Sequence, residues 1–264
     1  MISFFAGLPH LLQALIATAF TWSVTAAGAA LVYLIRRPGR LFMDGMLGFS
    51  AGVMMAASCW SLLDPAIEMA GALGLNAWFT VMIGFAAGCA LLLAGDKCYQ
   101  YMNNEKTNLI SNKRCAMLML SITLHNIPEG MAVGVAFGSL AYSLEGATLT
   151  GACLLALGIG LQNFPEGTAV SVPMLREGHS KHYAFFMGQV SGLVEPMAGV
   201  IGALLVLHVR QLLPYMLSFA AGAMIYVVTQ ELIPESQKNQ NSSAITFFTV
   251  AGFALMMVLD VALG

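Results

Sequence analysis

The chain has 264 residues, of which 58% are hydrophobic and 9% charged, and its mean hydropathy is +0.79. So little charge, against the roughly 25% of an ordinary soluble domain, excludes a water-soluble globule, a disordered segment and a nucleic-acid binder. Lys+Arg 11 against Asp+Glu 13 leave a net charge of -2, so function must lie in where the few charges sit.

Crossing ~30 Å of hydrocarbon takes about 20 apolar residues, and the sequence predicts eight such helices: 11–35, 41–63, 76–95, 115–139, 147–173, 183–207, 212–234 and 244–262. The first run has no basic n-region and no Ala-x-Ala cleavage site, so it is expected to stay as a span. The connections are short, the longest being the polar stretch 96–114, so residues 1–264 are expected to form a single polytopic membrane domain. Cys59, Cys89, Cys98, Cys115 and Cys153 fall singly, which predicts neither a disulfide framework nor a thiolate metal cage. Arg36, Arg37, Arg40, Lys97, Lys106, Lys113, Arg114, Arg176, Lys181 and Lys238 sit in the odd-numbered loops, and only Arg210 sits in an even one. The positive-inside rule then puts the odd loops in the cytoplasm and both termini outside.

Along the chain, two patterns recur. Helix two carries Leu47-Gly48-Phe49-Ser50-Ala51-Gly52-Val53-Met54 and later Asp64-Pro65 and Glu68. Helix seven carries Leu217-Ser218-Phe219-Ala220-Ala221-Gly222-Ala223-Met224 and later Glu231, Pro234 and Glu235. Asn126-Ile127-Pro128-Glu129-Gly130 in helix four returns as Asn163-Phe164-Pro165-Glu166-Gly167 in helix five. The number of crossings between the copies makes both pairs antiparallel, and inverted repeats with proline-interrupted helices point to a binding site near the bilayer midplane.

A charged side chain at that depth costs roughly 3 kcal/mol or more and is functional by default. His125 and Glu129 are four apart and share a face of helix four, and Gln162 and Glu166 do the same in helix five. Pro128 and Pro165 cannot donate to the carbonyls of Leu124 and Leu161, so each helix is expected to kink and to leave a spare oxygen beside its polar stripe. Glu195, midway along helix six, lies at a similar depth by the rise of the helix. Three carboxylates at one level repel unless protons or cations neutralise them. No Lys or Arg lies in these spans at that depth, so the neutralising charge must come from outside the chain.

One imidazole, three carboxylates and the amide oxygens of Asn126, Gln162 and Asn163 form a nitrogen and oxygen donor set suited to Zn²⁺, Fe²⁺, Mn²⁺ or a similar divalent ion, in one or two copies. No prosthetic group is expected; the metal is substrate. Asp64 and Glu68 fall at the outer end of helix two and Glu231 and Glu235 at the inner end of helix seven, which gives a cation path an acidic mouth and an acidic exit. Each has a plainer reading: carboxylates at membrane ends are ordinarily just solvated, and a lone buried glutamate can be a structural hydrogen-bonding residue. His179 and His182 suggest a metal pair but are read as a solvated cytoplasmic turn, and His10 and His208 as inert.

At His125-Asn126-Ile127-Pro128-Glu129-Gly130, Gln162-Asn163-Phe164-Pro165-Glu166-Gly167 and Gly192-Leu193-Val194-Glu195-Pro196 the sequence resembles the ZIP (Zrt/Irt-like) family of divalent metal transporters, in particular its GufA-like bacterial branch. The resemblance implies an all-α bundle of eight transmembrane helices in a 3+2+3 inverted arrangement with helices four and five at its centre. It implies a first site of His125, Glu129, Gln162 and Glu166, and a second completed by Asn126, Asn163 and Glu195 with Glu129 and Glu166 shared. Homodimers are implied on the same ground. Many members have His at the place of Gln162, some have Asp at that of Asn163, and many have a His-Glu pair where Gln230-Glu231 stand. The His-rich third loop of many relatives is missing. A weaker second site and a changed exit are therefore expected.

The function expected is transport of zinc or a related divalent ion (Fe, Mn, Cd, Co) into the cytoplasm across a bacterial inner membrane. The partners are metal ions and the lipid bilayer. One rival is an intramembrane metalloprotease, which needs a zinc-bound water and a base, normally within HExxH, a motif the chain lacks. The other is a cation/proton exchanger that uses the carboxylates as proton carriers.

Overall fold

The computed structural model describes residues 2–34, 39–104, 110–142, 147–238 and 242–263, with side chains except at 2, 3, 96, 98–122, 124, 125, 176, 242 and 263. Among the described residues every regular element is helical, as follows for a chain whose backbone groups must be satisfied within each segment when water is absent. In order they are α1 (Ile2–Ala6), α2 (His10–Ala29), α3 (Leu31–Leu34), α4 (Arg40–Ala57), α5 (Asp64–Ala72), α6 (Ala77–Asn104), α7 (Ile110–Ser139), α8 (Leu149–Arg176), α9 (Lys181–Gly192), α10 (Val194–His208), α11 (Leu213–Val227), α12 (Ile233–Ser236) and α13 (Ser242–Leu263). Of the basic residues that set the orientation, Arg36, Arg37 and Lys106 lie outside the described residues, as do the side chains of Lys113, Arg114 and Arg176.

Six stretches are long and apolar enough to cross a membrane: His10–Leu34, Arg40–Ala72, Ala77–Gly95, Lys181–His208, Arg210–Ser236 and Ser243–Ala262. They correspond to expected helices one, two, three, six, seven and eight, and α6 runs on to Asn104. The protein is therefore an integral membrane protein. α7 and α8, with 30 and 28 residues, carry the polar motifs, which lower their hydropathy.

Two local features interrupt the rods. π-helical turns at Ser58–Leu63 and Val228–Leu232 join α4 to α5 and α11 to α12, each just ahead of a proline, Pro65 and Pro234, that has no N–H to close the next α-helical bond. Leu193 separates α9 from α10 three residues before Pro196.

The closest helix pairings are α7 with α10, α4 with α13, α6 with α11 and α2 with α8. Small residues line these contacts, among them Ala14, Ala51, Ala132, Ala203 and Ala221, all fully buried, as close packing of helices in lipid requires. Large apolar side chains such as Trp78, Phe186, Met197, Phe247 and Val261 are exposed on the outside. Polar ones, including Thr18, Thr21, Thr25, Ser50, Asn126 and Gln162, are buried inside.

Candidate metal centre

α7 and α8 pass through Pro128 and Pro165 without a break, which keeps each four-residue polar stripe on one helical face. The glycine after each glutamate lets a neighbouring backbone come against it. A Cβ on Gly130 would stand 2.4 Å from the main-chain oxygen of Glu195, and one on Gly167 would stand 2.0 Å from that of Thr25. Such contacts leave no room for any side chain at either position.

The three glutamates are enclosed: Glu129 and Glu195 are 0% exposed and Glu166 is 3% exposed. Each meets a different uncharged donor. Gln162 Nε2 donates to Glu129 Oε1 at 2.7 Å, tying the stripe of α8 to that of α7. Ser50 Oγ, on α4, donates to Glu166 Oε1 at 3.4 Å. Asn163 Nδ2 donates to both Glu195 oxygens at 2.9 Å, while Thr21 and Thr25 of α2 donate to Oε2 and Oε1. The two motif asparagines are held alike. Asn126 Nδ2 donates to the Ser191 carbonyl at 2.9 Å, and Asn163 Nδ2 also reaches the Thr21 carbonyl at 3.3 Å.

This hydrogen bonding engages each amide nitrogen and leaves oxygens over. Asn126 Oδ1, Glu129 Oε2, Gln162 Oε1, Asn163 Oδ1 and Glu166 Oε2 are buried without a hydrogen-bond partner. Buried acceptors without donors are expensive, and the group that satisfies several acceptors at once is a cation. Five such atoms on two adjacent helices make a hard oxygen donor set. The His125 side chain lies outside the described residues. Among the described residues no three His, Cys, Asp or Glu side chains stand together as a metal-binding group, so the convergence here is of carboxylates with amides.

Asp64 and Glu68 are exposed on a cavity of about 460 Å³ whose wall also includes Ala136 and Ser139 of α7, the helix that carries Glu129. Asp260 of α13 shares that wall and accepts from Ser61 Oγ at 2.6 Å, with its Oδ2 unpartnered. Glu231 and Glu235 lie at the far end of the α11–α12 rod, apart from that cavity, and Glu235 pairs with Lys238. His182 Nδ1 meets Tyr33 Oη at 2.9 Å and His179 stacks on Tyr183, so each histidine has its own aromatic partner.

Sequence reasoning passed over Thr21, Thr25, Ser50, Ser61 and Asp260. Thr18, Thr21 and Thr25 recur at helical spacing in an otherwise apolar span, and Asp260 is an acid inside the last span. Both signals were present. What one chain cannot give is which helix each polar stripe faces.

Known proteins resemble the chain over nearly its whole length. The family model described as ZIP Zinc transporter matches residues 95–260. The human protein named Zinc transporter ZIP11 is 39% identical over 98% of this chain and 99% of its own length. Zinc transporter ZIPB of Bordetella bronchiseptica is 35% identical over 97% of this chain and 82% of its own. Zinc transporter GufA of Myxococcus xanthus is 32% identical over 95% of this chain and 98% of its own. With the paired Asn-x-Pro-Glu-Gly motifs facing each other across α7 and α8, these matches establish that the chain belongs to the ZIP zinc transporter family.

Proposed function

We propose that the chain carries zinc or a related divalent metal ion, such as Fe²⁺, Mn²⁺, Cd²⁺ or Co²⁺, across the membrane into the cytoplasm, through a mid-membrane site built from the motifs of α7 and α8. The observation that carries this is the set of five unpartnered buried oxygens. Glu129 and Glu166 are the charged ligands, each with one free oxygen. Asn126, Gln162 and Asn163 offer amide oxygens, and His125 the nitrogen that tunes selectivity toward zinc. The ion is substrate, held by weak neutral donors as much as by charge, which suits a site that must release it.

α7 and α8 cross the bilayer with the six apolar stretches, giving eight spans in an inverted 3+2+3 repeat. The packing supports this. If α2 is exchanged with α9–α10, α4 with α11, α6 with α13 and α7 with α8, the pairing of α2 with α8 becomes that of α10 with α7, and the pairing of α4 with α13 becomes that of α11 with α6. The π turns follow the same exchange.

Asp64 and Glu68 gather cations on the outer side, and Glu231 and Glu235 mark the inner exit. Both termini face outside by the Lys/Arg asymmetry, while a bacterial inner membrane and a homodimer follow from the resemblance. The relatives named above are all transporters, which favours passage over proteolysis.

The test is metal uptake into proteoliposomes, with Zn²⁺, Fe²⁺, Mn²⁺ and Cd²⁺ followed in parallel with lumen pH. Saturable uptake that drops to background in Glu166→Ala is the expected result. Undiminished uptake in a Glu129→Ala, Glu166→Ala double variant would remove the site, and proton flux surviving loss of metal binding would favour the exchanger.

A further inference from the structure

Glu195 differs from the other two buried glutamates. Glu129 and Glu166 each keep an oxygen without a partner, whereas both oxygens of Glu195 are engaged. A carboxylate has about four acceptor positions, and here four donor contacts point at it, two of them from Asn163. Asn163 Nδ2 lies 2.9 Å from each oxygen, in the fork between them where a chelated cation would sit. An amide nitrogen brings its protons to that spot. No cation can share it.

The flanking threonines belong to the same arrangement. Thr25 and Glu195 are 170 residues apart, the spacing that also separates Leu47 from Leu217 in the other repeated pattern. Their main-chain oxygens stand in matching places, Glu195 against Gly130 and Thr25 against Gly167. At corresponding positions of the two repeats the chain therefore has a carboxylate on one side and a hydroxyl that donates to it on the other. The charge of one repeat is answered by the neutral donors of the other.

We propose that Asn163, with Thr21 and Thr25, stands in for a second cation, so that the chain holds a single substrate ion at mid-membrane and Glu195 is a positioning residue instead of a ligand. The single ion sits among the unpartnered oxygens of Glu129, Glu166, Gln162 and Asn126, with Asn163 Oδ1 facing it while the Nδ2 of the same amide holds Glu195. Glu195 then fixes the amide orientation, and through Thr21 and Thr25 it ties α2 and α10 to α8. The inference rests on the transport reading above.

Metal content separates the possibilities, read as zinc bound per chain by elemental analysis of purified protein after equilibration with Zn²⁺ and gel filtration, with isothermal titration for affinity. The unaltered protein is expected to bind one ion. Asn163→Asp, which removes the N–H donor and supplies a second carboxylate opposite Glu195, is expected to bind two. Glu195→Gln is expected to keep one ion with a Kd weakened about 10- to 100-fold, the scale for losing a group that orients a ligand, while Glu166→Gln loses it. Thr25→Ser is expected to preserve the maximal uptake rate that Thr25→Val lowers, at unchanged stoichiometry in both. Two ions on the unaltered protein, or loss of the ion in Glu195→Gln, would overturn the inference and leave the transport reading standing. One ion on a folded Asn163→Asp would overturn it too. No ion on the unaltered protein would overturn both.

Discussion

Gln162 Nε2 and Glu129 Oε1 stand 2.7 Å apart across the junction of α7 and α8, so one motif supplies the donor that orients the carboxylate of the other. The amide keeps its own oxygen, Oε1, free of any partner. In the proposed site Gln162 would serve twice, orienting the Glu129 carboxylate and offering an oxygen of its own. Gln162→Ala removes both contributions, and initial zinc uptake at subsaturating concentration is expected to fall about 10- to 100-fold, the usual scale for losing a ligand-orienting group. Uptake within twofold of the unaltered protein would show that this amide does not serve the site.

Ser50 has a narrower part. Its hydroxyl is 3.4 Å from Glu166 Oε1 and the same distance from the Gln162 carbonyl, a long contact with a modest contribution. Ser50→Ala is expected to reduce uptake by about threefold to tenfold, well short of Glu166→Ala. Parallel dose–response curves for the two variants test the ranking, and equal loss in both would make Ser50 a ligand in its own right.

The glycines of the two motifs bear on stability before function. A methyl at Gly130 or Gly167 meets main-chain oxygen of another helix, at 2.4 and 2.0 Å, and backbone cannot swing away as a side chain can. Gly130→Ala and Gly167→Ala are each expected to destabilise the protein by about 1–3 kcal/mol or more. Thermal unfolding in detergent, followed by fluorescence-detected gel filtration, reads this directly. An unchanged midpoint in both would mean that the helices are less closely packed than described.

The acids of α5 are expected to act on capture. Asp64 and Glu68 are exposed on the same cavity as Asp260, and clustered carboxylates raise the local concentration of cations. Asp64→Asn with Glu68→Gln should raise the KM for uptake severalfold with little change in maximal rate, and should weaken the dependence of KM on ionic strength. A fall in maximal rate at constant KM would place these residues in the conduction step instead.

Most of the helical outline was legible from composition and periodicity, because long apolar runs are a strong signal and the polar interruptions were few. Six of the expected stretches coincide with helices long and apolar enough to cross a membrane, the second running on to Ala72 and the helix of the third to Asn104. The Asn-x-Pro-Glu-Gly pair was legible for the opposite reason, since polar groups repeated within apolar runs stand out. Partners across helices were not legible. Nothing in the sequence ties Thr21 to Glu195, 174 residues away, or Ser61 to Asp260, 199 away, because such contacts depend on which faces meet after folding. The π turns escaped as well: Pro65 and Pro234 marked a disturbance, but a kink and a widened turn look alike until the hydrogen bonds are traced.

Those two widened turns set an angular register. A π turn accommodates about one residue more than an α-helical turn, and each residue of an α-helix advances the side chains by about 100° around the axis. Everything beyond Ser58–Leu63, Asp64 and Glu68 included, therefore faces a direction that a regular continuation of α4 would not have given it. Winding the same residues as a regular α-helix would turn the acidic face of α5 by about 100°, off the cavity and onto the flank of the helix, whereas deleting a single residue from that turn would remove the widening and leave the face where it is.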